Sequence, residues 1–343
     1  MNYWEVSLMD CQIKITDNKA VWKIQAALAL IFLLNPFLGV LSTLFFVFVS
    51  KEKSMAFYLV IILTLFMWCL QSTRSFHLGE PSDWAGNYYY NFHNAAITDT
   101  LTYLFFTTKE YAWQAFNLIG YYLFDGDFLS YANFIVALTY MFTFAAIYKF
   151  WNYIQADPRF LVASLCLFAF VTEVNGICNN LLRQQFAMSM MLYAIIERCT
   201  NGRILYPLLV ISFFTHTMTG FFIPFLFIRL GKKASFRFYI YIVLGFGLLY
   251  ILFTNLSIFS SSSFYAFQRL ATASNAYALK DIIQPSAVYP FLAVTVILYV
   301  KTFFFDSERR KCELYINNLF LILISMCPVS YTHLRAHETG AYL

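Results

Sequence analysis

The sequence predicts an all-α fold, a polytopic membrane bundle of about eight to ten membrane helices, with a short hairpin at 204–228 among them. Three observations predict it. Only 12% of the 343 residues are charged and 60% are hydrophobic, where a soluble domain carries about a quarter charged. The apolar residues come in long blocks. There are 27 residues between Lys23 and Lys51, 20 between Lys53 and Arg74, 21 between Asp127 and Lys149, 25 between Arg203 and Arg229, and 19 between Asp281 and Lys301. About 20 apolar residues span a bilayer as a helix. The blocks do not alternate polar and apolar, so barrel strands are excluded and helices are left to satisfy the backbone in lipid.

Taken in order, residues 1–23 form a mixed polar tail. It carries no cleavable signal pattern, because the apolar block after it is too long for a signal core. Residues 24–328 form one membrane domain with expected spans at 24–50, 54–73, 128–148, 160–178, 184–198, 238–256, 287–305 and a last one from 314. The segment 74–127 is the largest outside the spans. Within it, 111–124 is apolar but short, which suits an interfacial or re-entrant helix. Residues 329–343 stand apart. Val329-Ser330-Tyr331-Thr332-His333-Leu334-Arg335-Ala336-His337-Glu338-Thr339 reads as one frame of a sequencing adapter and interrupts an apolar run. It is set aside as non-native, and the native chain is expected to continue differently. His333 and His337 therefore make no metal pair.

Charge orients the chain. The loops holding Arg229, Lys232, Lys233 and Arg237, and Arg309, Arg310 and Lys311, are basic and should face the cytoplasm. Arg198 and Arg203 fall on the same side, so 204–228 must leave that side and return to it as a hairpin. The polar break Thr215-His216-Thr217-Met218-Thr219-Gly220 makes this two short helices meeting at His216. The segments 74–127, 179–183 and 257–286 then lie outside. The same parity places Lys14, Lys19 and Lys23 outside, in tension with the positive-inside rule. The net charge of +5 follows from basic loops and implies no nucleic acid. The seven cysteines are scattered and form no disulfide framework. No phosphate-binding loop, His-Glu-x-x-His or Gly-x-Ser-x-Gly is present.

Four outer features can carry chemistry. The first is Asp83-Trp84 with Tyr89, preceded by Arg74. A carboxylate beside aromatic rings suits a sugar, although an ordinary polar loop has the same composition. The second is Arg183-Gln184 at the start of a helix, where the macrodipole disfavours a cation and an anionic partner is required. A diphosphate fits, since guanidinium binds phosphate bidentately. Lipid headgroups or Glu173 fit as well. The third is His216, at membrane depth, which suits a general base or a hydrogen-bond donor to phosphate. It also suits a core histidine with a satisfied partner. The fourth is the loop 257–286 with Tyr265 and Arg269. Asp125-Gly126-Asp127 offers an Asp-x-Asp, but Asp-Gly is a standard turn pair and the turn is favoured. No metal or cofactor is expected.

The order of Asp83-Trp84…Tyr89…Phe92, Lys109-Glu110, Leu182-Arg183-Gln184-Gln185-Phe186-Ala187 and Phe214-Thr215-His216-Thr217-Met218-Thr219 resembles that of EpsG-like proteins, relatives of Wzy-type O-antigen and exopolysaccharide polymerases. Asn35-Pro36-Phe37-Leu38-Gly39 resembles a subgroup feature. The resemblance covers roughly 24–305. It implies an enzyme of the bacterial cytoplasmic (inner) membrane that joins undecaprenyl-diphosphate-linked oligosaccharide repeats on the outer face. Catalytic roles then fall on Asp83, Arg183 and His216. Substrate contacts fall on Arg74, Trp84, Tyr89, Glu110, Gln184, Tyr265 and Arg269. Membrane lipid, a chain-length regulator and a flippase are the implied partners. A glycan ligase needs the same cations. A transporter of the lipid-linked glycan usually shows internal repeats, and none is evident here. A membrane O-acyltransferase would place its histidine toward the cytoplasm.

Overall fold

The computed structural model describes residues 18–50, 52–74, 84–97, 110–170 and 181–227. Every described element is helical. The expected spans from 238 onward, the basic loops and the 329–343 tail lie outside the described residues, as do Asp83, Tyr265 and Arg269. The chain divides into two compact units at Ile223/Pro224. Of the second unit, only residues 224–227 are described.

The expected span 24–50 is not one helix. It is α1 (Asn18–Leu34) followed by α2 (Pro36–Ser50). Pro36 lacks the N–H that would continue α1, and it opens α2 at the position where proline is best tolerated. Asn35 caps α2 by accepting a hydrogen bond at Oδ1 from the Leu38 amide, 3.1 Å. The chain doubles back at this joint. A Cβ on Gly39 would lie 2.4 Å from Cα of Phe32, seven residues earlier. In a continuous helix those two residues would be separated by about 10 Å along the axis.

The hairpin lies along α3 (Lys53–Ser72). Tyr58 Oη donates to the Gln25 carbonyl, 2.9 Å, near the start of α3. The Phe37 ring meets Phe66, 6.5 Å between centroids, about 12 Å further along. Both free ends of the hairpin therefore sit at the Lys53 end, and its bend points toward the far end. This corrects the single crossing. It also brings Lys23 to the end occupied by Lys53 and removes the tension in the charge distribution.

The two longest apolar helices are α3 and α6 (Phe128–Ile154), each long and apolar enough to cross a membrane. They run antiparallel, with Lys53 bonded to Gln155 and Phe57 against Tyr148, 5.7 Å between centroids. Between them in the chain come a π-turn (Trp84–Tyr88), α4 (Tyr89–Ile97) and α5 (Tyr111–Leu123). The segment α7 (Pro158–Phe170) returns alongside α3, with Arg159 over the Phe48 ring and Phe170 against Phe66. Then α8 (Leu182–Asn201) runs parallel to α6, with Phe142 touching both Phe186 and Tyr193, and Lys149 paired with Glu197. Finally α9 (Tyr206–Thr215) packs on α8, where Ser212 Oγ donates to the Ala187 carbonyl, 2.8 Å. A short helix, α10 (Ile223–Phe227), begins at the unit boundary.

The interior is apolar, built on Leu59, Leu63, Met67, Tyr140, Phe144, Leu161 and Leu165. So is the outer surface: Leu33, Leu34 and Phe45 are 77%, 87% and 71% exposed. Helices apolar on both faces fit a bilayer, where lipid covers the outer one. These features make the chain a helical membrane protein.

The hairpin yields two expectations. With single cysteines in a cysteine-free background, Trp22→Cys and Asn152→Cys should react with an impermeant thiol reagent from the same side of the membrane, and Asp125→Cys from the other. Trp22 labelling with Asp125 would restore the single crossing. Gly39→Leu should lower the thermal midpoint in detergent, because Phe32 presents backbone that cannot move aside; an unchanged midpoint would mean the two helices are not packed at this point.

Candidate functional site

One carboxylate organises the described polar residues. Glu110 lies just before α5, and its carbonyl accepts from the Gln114 amide, 3.1 Å, which starts the helix. Its side chain makes no cap bond. Instead Oε2 meets Nη1 of Arg183 at 2.5 Å, and Oε1 meets Nδ1 of His216 at 2.8 Å. The three residues come from three separate stretches, before α5, at the start of α8 and at the end of α9. The Arg183 and Glu110 side chains are 20% and 12% exposed, so the pair is mostly out of water without being sealed.

The location follows from local structure. Arg183 occupies the first turn of α8, where the helix dipole disfavours a cation. The anion that compensates it is Glu110. Arg183 Nε is buried and has no hydrogen-bond partner among the described residues, so the guanidinium retains donor capacity beyond Glu110. Gln184 is the next residue and is half-buried.

At His216 the backbone is extended, φ −153° and ψ 115°, between α9 and a 3-10 turn (Thr217–Phe222). The expected break therefore falls at His216. Its amide donates to the Ser212 carbonyl, 3.0 Å. Its carbonyl accepts from the Thr219 amide, 3.0 Å, and from Thr219 Oγ1, 2.9 Å. Thr215 Oγ1 donates to the Ile211 carbonyl, 2.7 Å. Thr219 thus satisfies the backbone at the break, and the polar side chain of His216 pairs there with another segment.

The other sequence-predicted residues gather at the start of α6. Arg74 lies over the Trp84 ring, 4.3 Å to the centroid. Trp84 is only 1% exposed and packs edge-on against Phe128, 5.8 Å between centroids. Its buried ring supports the fold here, not an open sugar platform. Tyr89 is half-buried, against His93 at 4.3 Å and Phe128 at 5.7 Å. Burial lowers the His93 imidazole below its usual value. Asp83, Tyr265 and Arg269 lie outside the described residues.

Two polar features were not foreseen. Tyr131 Oη donates to Asn117 Oδ1, 3.0 Å, and Asn117 Nδ2 to Gln114 Oε1, 3.3 Å. These three buried groups tie α5 to α6, and the apolar reading of 111–124 concealed them. Glu197, paired with Lys149, also accepts from Asn201 Nδ2, 2.7 Å. That cluster is 14 residues along α8 from Arg183, about 21 Å at helical rise, at the opposite end of the bundle.

Asp125-Gly126-Asp127 is a turn, with Asp125 and Gly126 at φ 50° and 76°. Asp127 caps α6, accepting from the amides of Leu129, 3.0 Å, and Ser130, 3.4 Å, and from Ser130 Oγ, 2.6 Å. The Ser130 hydroxyl bond is the main reason its carboxyl is held below the usual carboxylate range. Among the described residues, no group of three or more His, Cys, Asp or Glu side chains is placed to hold a metal.

A helical membrane bundle with a buried Arg–Glu–His cluster at one end is the class of protein that the geometry defines. The chain belongs to the EpsG family, whose profile it matches over residues 57–336. The match includes all three cluster residues, and its last residues run into the adapter-like segment. No curated protein and no solved structure matches this chain.

The cap predicts a split between two substitutions. Asp127→Ala should cost about 1 kcal/mol of stability, whereas Asp127→Asn, which can still cap, should cost less. The contribution of the charged cap should be present above the ordinary carboxylate pKa and be lost as pH falls through the lowered folded value. Thermal unfolding in detergent against pH checks both; equal losses for the two variants would argue that the carboxylate is used elsewhere.

Proposed function

We propose that this protein is a membrane glycosyltransferase. It polymerises oligosaccharide repeats carried on undecaprenyl diphosphate into exopolysaccharide, capsule or O-antigen at the outer face of the bacterial cytoplasmic membrane. The observation that carries the reading is the Arg183–Glu110–His216 cluster, a cation and an ionisable imidazole held together at one end of an apolar bundle. Membership of the EpsG family supports the polymer-forming direction.

The chemistry needs two things from the protein. As the glycosyl–phosphate bond breaks, negative charge grows on the departing diphosphate. Arg183, with a donor left over, stabilises that charge electrostatically. The acceptor sugar hydroxyl must lose its proton as it attacks, and His216 takes it as general base. Asp83 is the alternative base, and Arg269 a second cation for the diphosphate. Arg74, Trp84 and Tyr89 belong to the wall of the sugar site, with Trp84 acting through the packing of that wall. A chain-length regulator and a flippase are the expected partner proteins. A ligase that moves a finished glycan would use the same cation and base; it differs in leaving chain length unchanged.

Arg183→Ala should abolish polymer in cells while the protein is still found in the membrane at normal amounts. Arg183→Lys should recover only part of it, since an ammonium cannot grip a phosphate bidentately. Polymer of normal length and amount from Arg183→Ala would refute the role.

A further inference from the structure

We propose that Glu110 is the positioning residue for the reaction's base. It takes the hydrogen bond of His216 Nδ1–H and so turns Nε2 toward the acceptor hydroxyl. This deepens the glycosyl-transfer reading and rests on it. It also changes the part expected of Glu110, from a substrate contact to a residue that acts through His216.

The two carboxylate oxygens of Glu110 are occupied by different partners, Oε2 by Arg183 and Oε1 by His216. A carboxylate paired to a guanidinium is ionised and only accepts hydrogen bonds. The neutral imidazole facing it must therefore carry its proton on Nδ1, which leaves Nε2 as the basic atom. Nε2 makes no hydrogen bond among the described residues. The backbone at His216 is held on both sides, by Ser212 and Thr219, so the buried ring is anchored through Nδ1 and its backbone. Arg183 restrains the carboxylate in turn. The leaving-group cation and the base thus share one counter-charge, and the distance between them is set by a single side chain.

In the transfer step the acceptor oxygen bonds to the anomeric carbon of the donor, and the anomeric C–O bond to phosphate breaks. The electron pair leaves with the prenyl diphosphate beside Arg183. The hydroxyl proton passes to His216 Nε2 and afterwards to water. Glu110 neither gains nor loses a proton.

The test is a double-mutant cycle on the purified full-length protein in lipid, with a synthetic prenyl-diphosphate oligosaccharide as probe. Glu110→Gln should lower kcat at least tenfold, toward the roughly 100- to 10,000-fold that a general base contributes, with KM changed by less than about twofold, the pattern of an interaction that acts on the transition state. In a His216→Ala background the same change should cost far less than in the wild type, only what the unpaired Arg183 adds. Losses that multiply would overturn the positioning role while leaving glycosyl transfer intact. A wild-type protein that does not turn the probe over would overturn the transfer reading and this role with it. Nitrogen NMR of histidine-labelled protein gives a readout independent of turnover. The residue-216 signal, identified by its loss in His216→Gln, should show Nδ1 protonated in the wild type and lose that pattern in Glu110→Gln. The same pattern in both would overturn the proposal. If Glu110→Gln does not fold, Glu110→Asp takes its place in the cycle, since it keeps the charge but withdraws it by one methylene. Its loss should likewise shrink in the His216→Ala background, and a loss that multiplies there would overturn the positioning role.

Discussion

The shared carboxylate of Glu110 is the interaction on which the described site depends. A cation and an imidazole in an apolar bundle each need a partner, because ionisable groups at membrane depth are costly when alone. Removing one partner of a buried ion pair typically costs about 3–5 kcal/mol, since the other charge is left uncompensated. Glu110 answers both needs at once and ties together the starts of α5 and α8 and the end of α9. The backbone supports this arrangement. The break at His216 would leave its amide and carbonyl unsatisfied, and Ser212 and Thr219 supply the bonds.

Around that cluster the bundle separates its charges by end. Lys149, Glu197, Lys53 and Arg159 mark one end, each with a partner there. Arg74, Glu110, Asp127, Arg183 and His216 mark the other. The stretch between is apolar, and two helices cross it at full length. The α1–α2 hairpin enters from the Lys53 end and turns back at Asn35-Pro36, so it lends bulk to the bundle without carrying the chain across. Among the described residues the cations lie near the ends, and Arg183, which has an unused buried donor, is at the end holding the imidazole.

Much of this is legible in the sequence, and what is not has physical causes. The blocks bounded by Lys53/Arg74 and Asp127/Lys149 become α3 and α6 because length and hydropathy suffice to specify a membrane helix. The Thr-His-Thr break is legible because polar residues at mid-span demand backbone partners. The Asp-Gly turn is legible from its residue pair. The hairpin is not, although Asn35, Pro36 and Gly39 stand in view. Twenty-seven apolar residues fit one long span as well as two short helices, and hydropathy does not register a reversal. The Arg183 partner is hidden for a different reason. Glu110 is 73 residues away from it and 106 from His216, and no local pattern encodes such a pairing. Trp84 shows the limit of composition: aromatic residues in a polar stretch suggest an open platform, but the ring is buried against Phe128.

Transfer of glycosyl units from a lipid diphosphate is tested most directly with purified wild-type protein in lipid and a prenyl-diphosphate oligosaccharide as sole substrate, following glycan length and released prenyl diphosphate together. Glycans should lengthen in steps of one repeat, with one prenyl diphosphate released per linkage formed. Substrate recovered intact, or moved across the bilayer with no linkage made, would contradict glycosyl transfer.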